Sequence, residues 1–339
     1  MSETTGPTDD APLVDLASFR AAAERLRGVA LRTPLVPFGV DGDRHVIKAE
    51  SLQPIGAFKL RGAYVAVAGL APDALARGVI TYSSGNHAQG VARAARLLGA
   101  PCVVVMPSDA PGIKRDRVAA DGAEIVVVGP SSDEREAVAR SIAAERGLAV
   151  IPPFDDDRII AGQGTIGLEI VEDRPDVSLV LVPIGGGGLA SGVATAIKAL
   201  RPDVRVVGVE PELAADARDS LASGEIVRWS AADVARTCAD GTRTQALGRR
   251  TFLHLRAHLD GVVTVSEAEI VAAVRLVSEW SRLVVEPSGA LAVAALLYRP
   301  AELGLEGGGA HLGAVVAVAS GGNVDPDRYR EYLASPLPA

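Results

Sequence analysis

Cysteines and aromatic residues are scarce in this chain of 339 residues. The two cysteines, Cys102 and Cys238, form neither a metal-binding nor a redox spacing. Cys102 opens an apolar strand, so we expect it to be a small core residue. The sequence also lacks any run of about 18 consecutive apolar residues, and no transmembrane helix is therefore predicted.

Basic residues are fewer than acidic ones, 34 against 42, which gives a formal net charge of −8. This balance argues against nucleic acid or an anionic membrane as a partner. Residues 1–10 are polar and acidic, unlike a signal peptide, so we expect a disordered tail and a cytoplasmic protein. The length, the 48% hydrophobic content and the 36 glycines indicate two domains.

Apolar runs alternate with alanine-rich amphipathic runs from residue 79 onward. One series covers residues 79–151, and a second begins near residue 157. Such β-α units predict parallel sheets with right-handed crossovers. A polar stretch at residues 211–250 interrupts the second series, and no repeat period stands out.

Lys59 follows a strand-like run at residues 45–50 and a glycine-containing turn, and it opens a helical stretch. Burial and the helix dipole should both lower the pKa of such a lysine. A neutral lysine amine is a nucleophile, typically used to form a Schiff base with a carbonyl cofactor. The alternative is a surface lysine at a helix start, because most lysines do no chemistry.

Three further motifs follow buried strands. They are the polar loop at residues 83–90, the glycine-rich loop at residues 183–189 and the Ser-Gly-Gly-Asn segment at residues 320–323. Open α/β sheets bind ligands at the carboxyl ends of their strands. The three motifs are therefore expected to meet at one site.

Together with Lys59, these motifs resemble the serine/threonine dehydratase and serine racemase family of pyridoxal-phosphate enzymes. The resemblance runs from about Leu31 to Asp325 and keeps the family's motif order. It implies the fold type II architecture of the tryptophan synthase β subunit, an α/β fold with two open twisted mostly parallel sheets flanked by helices. It also implies a large cofactor-binding domain at residues 1–64 and 156–339 and a small substrate-gating domain at residues 65–155.

The glycine-rich loop is expected to hold the cofactor phosphate through Gly185, Gly186, Gly187 and Gly188. Glycines let backbone N–H groups approach an anion closely, and the following helix directs its positive end at that anion. A rival interpretation is a dinucleotide fingerprint, which this loop fits loosely with Glu210 downstream. That pattern is weak alone, and its mid-chain position and Lys59 disfavour it.

The resemblance implies specific cofactor contacts. Phe58 is expected to stack beside the pyridine ring, Asn86 to bond the 3′-oxygen and Ser320 to face the pyridine nitrogen. A serine hydroxyl cannot hold a proton on that nitrogen as a carboxylate would, so the ring becomes a weaker electron sink. This favours loss of a β-substituent as the α-proton is removed.

The segment after residue 82 is expected to bind the substrate's carboxylate. The N–H and hydroxyl groups of Ser83, Ser84 and Asn86 suit a carboxylate, and His87 is expected to assist. In serine racemases, the serine matching Ser84 is the acid/base on the face opposite the lysine. Lys59 and Ser84 are therefore the predicted catalytic pair, and racemisation remains an alternative.

Arg135 lies in a segment that resembles the part of serine racemases where an arginine approaches bound dicarboxylates. A planar guanidinium suits a distal carboxylate, which would make 3-hydroxyaspartate a candidate substrate. The alternative is an exposed helix arginine paired with Glu136. Ile55 and Ala57 stand where family members often carry Thr and Ser, which bears on substrate choice.

A divalent cation is implied by Glu210, Ala214 and Asp216, which match the family's two carboxylates and one carbonyl. Hard oxygen ligands suit Mg²⁺, Mn²⁺ or Ca²⁺, and a solvated acidic loop is the alternative. His254 and His258 have i,i+4 helical spacing but no third zinc ligand, so they are interpreted as surface or interface residues.

The sequence thus predicts a dehydratase, or ammonia-lyase, that converts L-serine or L-threonine to a 2-oxo acid and ammonia. Serine racemase and 3-hydroxyaspartate dehydratase are the alternatives within the family, and a non-catalytic amino-acid or cofactor sensor is the alternative outside it. The expected partners are a small amino acid and a second copy of the chain. Regulatory members carry an added C-terminal domain, so end-product inhibition is not expected here.

Overall fold

The computed structural model of the protein describes residues 11–39, 44–83, 85–108, 110, 112–129, 132–305 and 313–338. The tail predicted at residues 1–10 and the catalytic serine predicted at Ser84 lie outside these residues. In the described part of the chain, no helix is both long enough and apolar enough to cross a bilayer.

Ten strands occur in the described residues. In chain order they are β1 (Leu35–Pro37), β2 (His45–Lys48), β3 (Val79–Tyr82), β4 (Cys102–Pro107), β5 (Glu124–Val128), β6 (Ala149–Val150), β7 (Val177–Pro183), β8 (Arg205–Pro211), β9 (Gly261–Val265) and β10 (Ala314–Val318).

The α-helices of the same residues surround these strands. They are α1 (Leu16–Arg25), α2 (Lys59–Ala68), α3 (Pro72–Arg77), α4 (Asn86–Leu98), α5 (Gly112–Ala120), α6 (Ser132–Arg146), α7 (Asp157–Asp173), α8 (Gly188–Leu200), α9 (Asp216–Ser223), α10 (Ala231–Val234), α11 (Arg249–His258), α12 (Glu267–Ser281), α13 (Pro287–Tyr298), α14 (Pro300–Leu303) and α15 (Pro326–Ala334).

The strands form two sheets. The larger has the order β1-β2-β10-β7-β8-β9 and the smaller the order β5-β4-β3-β6. Every pairing is parallel except that of β1 with β2. The predicted α/β class with two mostly parallel sheets is therefore confirmed. The smaller sheet draws on strands between residues 79 and 150, inside the predicted small domain, whose boundaries stay a prediction.

Close helix packing positions the start of α2. A Cβ atom on Gly162 of α7 would lie 2.5 Å from the Cα atom of Gly62 of α2. On the neighbouring helix, a Cβ atom on Gly192 would lie 2.5 Å from the Gly164 backbone nitrogen. Glycines at these crossings let α2, α7 and α8 approach more closely than side chains would allow, and α2 begins at Lys59.

A network of four charges, three of them buried and one partly buried at Glu169, anchors α2 to the larger sheet. The Arg61 guanidinium lies 2.8 Å from the Glu50 carboxylate and 2.6 Å from the Glu169 carboxylate. The Lys48 amine of β2 lies 2.5 Å from the second Glu169 oxygen. Opposite charges alternate through the network, so each buried ion has a partner that offsets its desolvation.

Several elements differ from the sequence-based prediction. Helices α1 and α15 were not predicted, and the polar stretch at residues 211–250 contains α9 and α10. The interpretation of His254 as a surface or interface residue was wrong. Its side chain is buried, with Nδ1 2.9 Å from the Thr195 hydroxyl. Cys102 is buried, as predicted.

Candidate active site

A cavity of about 290 Å³ lies where loops from both sheets meet. Lys59, the polar loop after β3, the glycine-rich loop after β7 and Ser320 after β10 all line it. The strands concerned are parallel, so their carboxyl ends share one edge of each sheet. The topology thus brings together the four motifs of the sequence.

Lys59 is the first residue of α2, and its amine points into this cavity. Its Nζ atom donates a hydrogen bond of 2.6 Å to the Pro153 carbonyl oxygen and lies 5.2 Å from the centre of the Phe58 ring. Burial lowers the pKa of Lys59 to about 8. A larger fraction of the amine is therefore neutral and nucleophilic near neutral pH than in an ordinary lysine.

The glycine-rich loop runs from the end of β7 into α8. Gly187 has φ of 92°, a left-handed conformation that favours glycine. A Cβ atom on Gly186 would lie 2.2 Å from the Phe154 ring, and one on Gly187 would lie 2.8 Å from Thr251 Cβ. The first N–H groups of α8 have no intrahelical acceptors. Bare backbone at a helix N-terminus makes a cradle that fits a phosphate group.

Asn86 begins α4 at the cavity wall. Its Nδ2 atom donates a hydrogen bond of 2.5 Å to Oε1 of Glu286, and its Oδ1 atom accepts one of 2.8 Å from Nδ2 of Asn323. Both contacts are formed by side chains remote in the sequence. Asn86 is therefore held in one orientation, with one N–H left for the cavity.

Ser320 follows β10 and is buried at the cavity. Its hydroxyl lies 3.3 Å from the Ser288 carbonyl oxygen, which is a long contact. The Ser288 hydroxyl accepts a hydrogen bond of 2.8 Å from the Gly241 backbone N–H. Ser320 therefore lies at the cavity, and its contact with a ring nitrogen stays a prediction.

His87 lies beside the lysine with its imidazole buried. Its Nε2 atom lies 3.1 Å from the Ile151 carbonyl oxygen, and its Nδ1 atom has no hydrogen-bond partner in the described structure. Burial, with the nearby Lys59 charge, lowers the pKa of His87 to about 3. The ring is therefore neutral, with Nε2 as the donor and Nδ1 as an acceptor. Ser83 lines the same wall.

A charged cluster that the sequence analysis missed completes the wall. The Lys114 amine lies 2.5 Å from Asp240 and 3.6 Å from Glu286. Burial raises the pKa of Glu286, against the opposing effect of Lys114. A Cβ atom on Gly85 would lie 3.2 Å from Lys114 Cδ. Lys114 therefore packs against the loop that is predicted to bind the substrate's carboxylate. Its contacts with Asp240 and Glu286 connect that loop to segments beside the larger sheet.

Three arginines line the cavity. Arg135 comes from α6, while Arg228 and Arg243 come from the segment between α9 and α11. The Arg243 guanidinium donates two hydrogen bonds, of 2.9 and 2.6 Å, to the Thr237 carbonyl oxygen. The sequence suggested only Arg135, since nothing local marks the other two. These guanidiniums bring positive charge to the cavity wall, beside the Glu136 carboxylate that also lines it.

The residues predicted to bind a cation lie outside the cavity lining. Glu210 is the penultimate residue of β8 and is buried, and its oxygens accept hydrogen bonds of 3.0 and 2.8 Å from the Ala217 and Arg218 backbone N–H groups. Both carboxylate oxygens of Asp216 are buried without a hydrogen-bond partner in the described structure. Burial raises the pKa of Asp216 to about 7 and that of Glu210 well above its usual value. Orphaned buried oxygens next to a second carboxylate fit a divalent cation.

Comparison with known proteins gives consistent matches. The family model described as pyridoxal-phosphate dependent enzyme matches residues 27–321. L-threo-3-hydroxyaspartate ammonia-lyase of Saccharomyces cerevisiae is 40% identical over 316 residues, which cover 92% of this chain and 94% of the relative. Serine racemase of Schizosaccharomyces pombe is 36% identical over 330 residues, covering 96% of this chain and 99% of the relative.

Solved structures agree with these matches. The crystal structure of a threonine deaminase from T.th. superposes with a TM-score of 0.84 at 45% identity, covering 92% of this chain and 99% of that one. The similarity therefore extends over nearly the whole chain.

Proposed function

Because the chain belongs to the family of pyridoxal-phosphate dependent enzymes, we propose that it is an ammonia-lyase acting on a small 3-hydroxy amino acid such as L-threonine or L-serine. The observation that carries this proposal is the Lys59 amine, whose pKa is lowered to about 8, in one cavity with the glycine-rich loop. The proposed products are a 2-oxo acid and ammonia.

The proposed cofactor contacts follow the cavity wall. Gly185, Gly186, Gly187 and Gly188 bind the phosphate, Phe58 packs beside the ring, Asn86 donates to the ring oxygen and Ser320 faces the ring nitrogen. When bound, pyridoxal phosphate supplies an electron sink for the bond to the substrate's α-carbon. The support is that bare backbone and three suitable side chains occupy one wall beside Lys59.

Lys59 is the proposed base. Its neutral amine accepts the α-proton, while the backbone N–H groups and hydroxyls at residues 83–86 bind the substrate's carboxylate. The β-hydroxyl leaves with a proton equivalent to the one that Lys59 has taken from the α-carbon, so that one water is lost. Hydrolysis then takes up one water and releases ammonia, so that the net products are one 2-oxo acid and one ammonia per substrate. The low pKa of His87 keeps its imidazole neutral beside Lys59. A positive charge there would make the Lys59 amine a weaker base.

The decisive test is an assay with pyridoxal phosphate and Mg²⁺ against L-threonine, L-serine and the stereoisomers of 3-hydroxyaspartate. We expect stoichiometric 2-oxo acid and ammonia from at least one of them. The Lys59→Ala variant should lose both the protein-bound absorbance of the cofactor and all turnover. Turnover retained by that variant would overturn the assignment of Lys59.

3-Hydroxyaspartate is a second candidate substrate, favoured by a specific observation. Arg135, Arg228 and Arg243 line the cavity, and a guanidinium binds a carboxylate in bidentate geometry. A relative with 40% identity is an L-threo-3-hydroxyaspartate ammonia-lyase. If this candidate is correct, kcat/KM for a 3-hydroxyaspartate stereoisomer will exceed that for L-serine and L-threonine in the same assay.

Racemisation is the other candidate, because the alignment with a serine racemase that is 36% identical covers 96% of this chain. It would use Lys59 and Ser84 on opposite faces of the substrate. Chiral analysis of the amino acid remaining in the assay separates the two reactions. D-serine formed by the wild-type protein but not by Ser84→Ala, with elimination retained, would assign racemisation to Ser84.

We also propose a divalent cation, Mg²⁺, Mn²⁺ or Ca²⁺, at Glu210, Asp216 and the Ala214 carbonyl. The support is the pair of unpartnered, buried Asp216 oxygens beside the buried Glu210 carboxylate. Among the described residues, no group of three or more His, Cys, Asp or Glu side chains is arranged to bind a metal. The proposed ligand set instead has two carboxylates and one carbonyl, and waters would complete it.

A cytoplasmic homodimer remains our proposal for the assembled protein. Large apolar side chains are exposed at Leu31, Leu52, Trp280 and Val284, and burial in an interface would remove them from water. His254 cannot contribute, since it is buried within the chain. Sedimentation or light scattering of the purified protein tests the dimer.

A further inference from the structure

Asn323 closes the Ser-Gly-Gly-Asn motif after β10, and the proposed function leaves it without a role. Its side chain is 4% exposed, and its amide is fully engaged. Nδ2 donates two hydrogen bonds of 2.8 Å, one to the Ile55 carbonyl oxygen and one to Oδ1 of Asn86. Its Oδ1 atom accepts a hydrogen bond from Arg117.

The donors and acceptors in these contacts can be assigned in only one way. A guanidinium has donors and no acceptor, so the atom of Asn323 that faces Arg117 must be the oxygen. The Asn323 nitrogen then faces Ile55 and Asn86. Because that nitrogen has only donors, the atom of Asn86 that it meets must be Oδ1. A flipped amide at either asparagine would place donor against donor.

The same assignment of donors and acceptors extends to Asn86 at the cavity. With Oδ1 occupied by Asn323, the Asn86 nitrogen faces Glu286 and donates one N–H to Oε1 at 2.5 Å. Its second N–H is left for the cavity that Asn86 lines. Oε1 of Glu286 accepts this N–H, so Glu286 and Asn323 impose the same orientation on the Asn86 amide.

We propose that Arg117 and Asn323 are positioning residues, which orient the Asn86 amide so that it presents an N–H, and not its oxygen, to the cofactor's ring oxygen. This inference rests on the proposed cofactor site. We call the contacts from Arg117 to Asn323 and from Asn323 to Asn86 the relay. It starts on α5, whereas Asn323 follows β10 of the larger sheet. The relay therefore makes the orientation of the Asn86 amide depend on how α5, a helix beside the smaller sheet, packs against the larger sheet.

A purely structural role for Asn323 makes different predictions. The turn that precedes Lys59 packs on the Asn323 side chain, since a Cβ atom on Gly56 would lie 2.3 Å from Asn323 Oδ1. Loss of that packing alone would lower stability, with or without Asn86. Loss of the orienting contact would change the cofactor's spectrum and affinity only while Asn86 is present. A double-mutant cycle separates the two.

The test uses Asn323→Asp, which keeps the shape of the side chain and removes both donors. We expect an altered absorbance band of the bound cofactor and a dissociation constant raised about tenfold or more, the effect of losing one hydrogen bond to a charged group. In the Asn86→Ala background, Asn323→Asp should add little to either quantity. Thermal unfolding of the cofactor-free proteins reports any separate loss of stability.

Arg117→Met provides a second route that leaves the motif intact. It should shift the absorbance band in the same direction as Asn323→Asp, whereas the matched control Arg115→Met, an exposed arginine on the same helix, should not. Effects of Asn323→Asp and Asn86→Ala that simply add would overturn the relay alone. An unchanged spectrum and affinity in Asn86→Ala would overturn both the relay and the proposed contact of Asn86 with the cofactor.

Discussion

The environment of Lys59 sets the pH range in which the cavity can attach a carbonyl compound. The amine is desolvated, which lowers its pKa to about 8, and only the neutral amine attacks a carbonyl. Below that pH the ammonium form dominates. Above it, further deprotonation brings no gain.

We therefore expect the rate at which cofactor-free protein attaches pyridoxal phosphate to rise with pH and level off above about 8. Stopped-flow absorbance at a series of pH values measures this rate. A midpoint near the ordinary lysine pKa of about 10.4 would show that the amine is solvated. Free lysine under the same conditions serves as the reference.

The main residues of the cavity lining could be predicted because each motif is contiguous in the sequence. Lys59, Asn86, the four glycines and Ser320 each sit next to a strand end or a helix start that can be identified locally. Glu286, Lys114 and Asp240 could not be found in this way. The contact of Glu286 with Asn86 joins residues 200 positions apart, and no local pattern marks either member of such a pair.

At the scale of elements, the glycine-rich loop depends on the space its neighbours occupy. Phe154 fills the position where a Gly186 side chain would lie, at 2.2 Å from the Cβ atom of an alanine. Phe154 follows Pro153, whose carbonyl oxygen holds the Lys59 amine. Displacement of this segment would therefore disturb the lysine as well as the phosphate cradle.

Gly186→Ala is expected to weaken cofactor binding by about tenfold or more, because overpacking at a buried site costs about 1–3 kcal/mol. Equilibrium titration with pyridoxal phosphate measures the change. Gly261→Ala on β9 is the matched control, since a Cβ atom there would meet nothing within 4 Å. Equal affinities in the two variants would show that the loop is not the cradle.

The anchor of α2 makes a second prediction for this scale. Arg61→Ala leaves the buried Glu50 carboxylate and the partly buried Glu169 carboxylate without their shared cation, so we expect a loss of about 3–5 kcal/mol in the free energy of unfolding. Arg328→Ala, which breaks an exposed pair with Glu331, should cost at most about 1 kcal/mol. Urea unfolding measures both, and similar losses would contradict the anchoring role.

The order of elements was largely predictable, and their packing was not. Alternating apolar and amphipathic runs predicted the β-α units, but α9 and α10 lie in a stretch whose polarity hid them. His254 was misplaced at the surface because its helical spacing carries no information on burial. The Thr195 hydroxyl and the Val14 backbone N–H, which satisfy its imidazole, come from distant parts of the chain.

At the scale of the whole molecule, the two sheets share one cavity. Lys114, on a helix beside the smaller sheet, pairs with Asp240 and lies near Glu286 at the start of α13. Arg117, one turn further along that helix, contacts Asn323 after β10. The site is therefore complete only when both parts of the fold are docked, and a contact between them is also a contact within the site.

The proposed cation should also act on the molecule as a whole, through stability. Burial raises the pKa of Asp216 from 3.8 to about 7. Between those values the folded, metal-free protein binds more protons than the unfolded chain, so its stability falls as pH rises through this window. A divalent cation binds the ionised carboxylate and offsets that loss.

The increase in melting temperature caused by Mg²⁺, relative to EDTA, is therefore expected to be small at about pH 5 and large at about pH 8, because protons compete for the same oxygens. Differential scanning calorimetry at the two pH values measures it. Asp216→Asn removes the Asp216 charge but keeps the Glu210 carboxyl, whose pKa burial also raises. The variant should therefore lose most of the gain from Mg²⁺ and retain only the pH dependence that Glu210 contributes. A gain that is equal at both pH values and survives in Asp216→Asn would place the cation elsewhere on the protein.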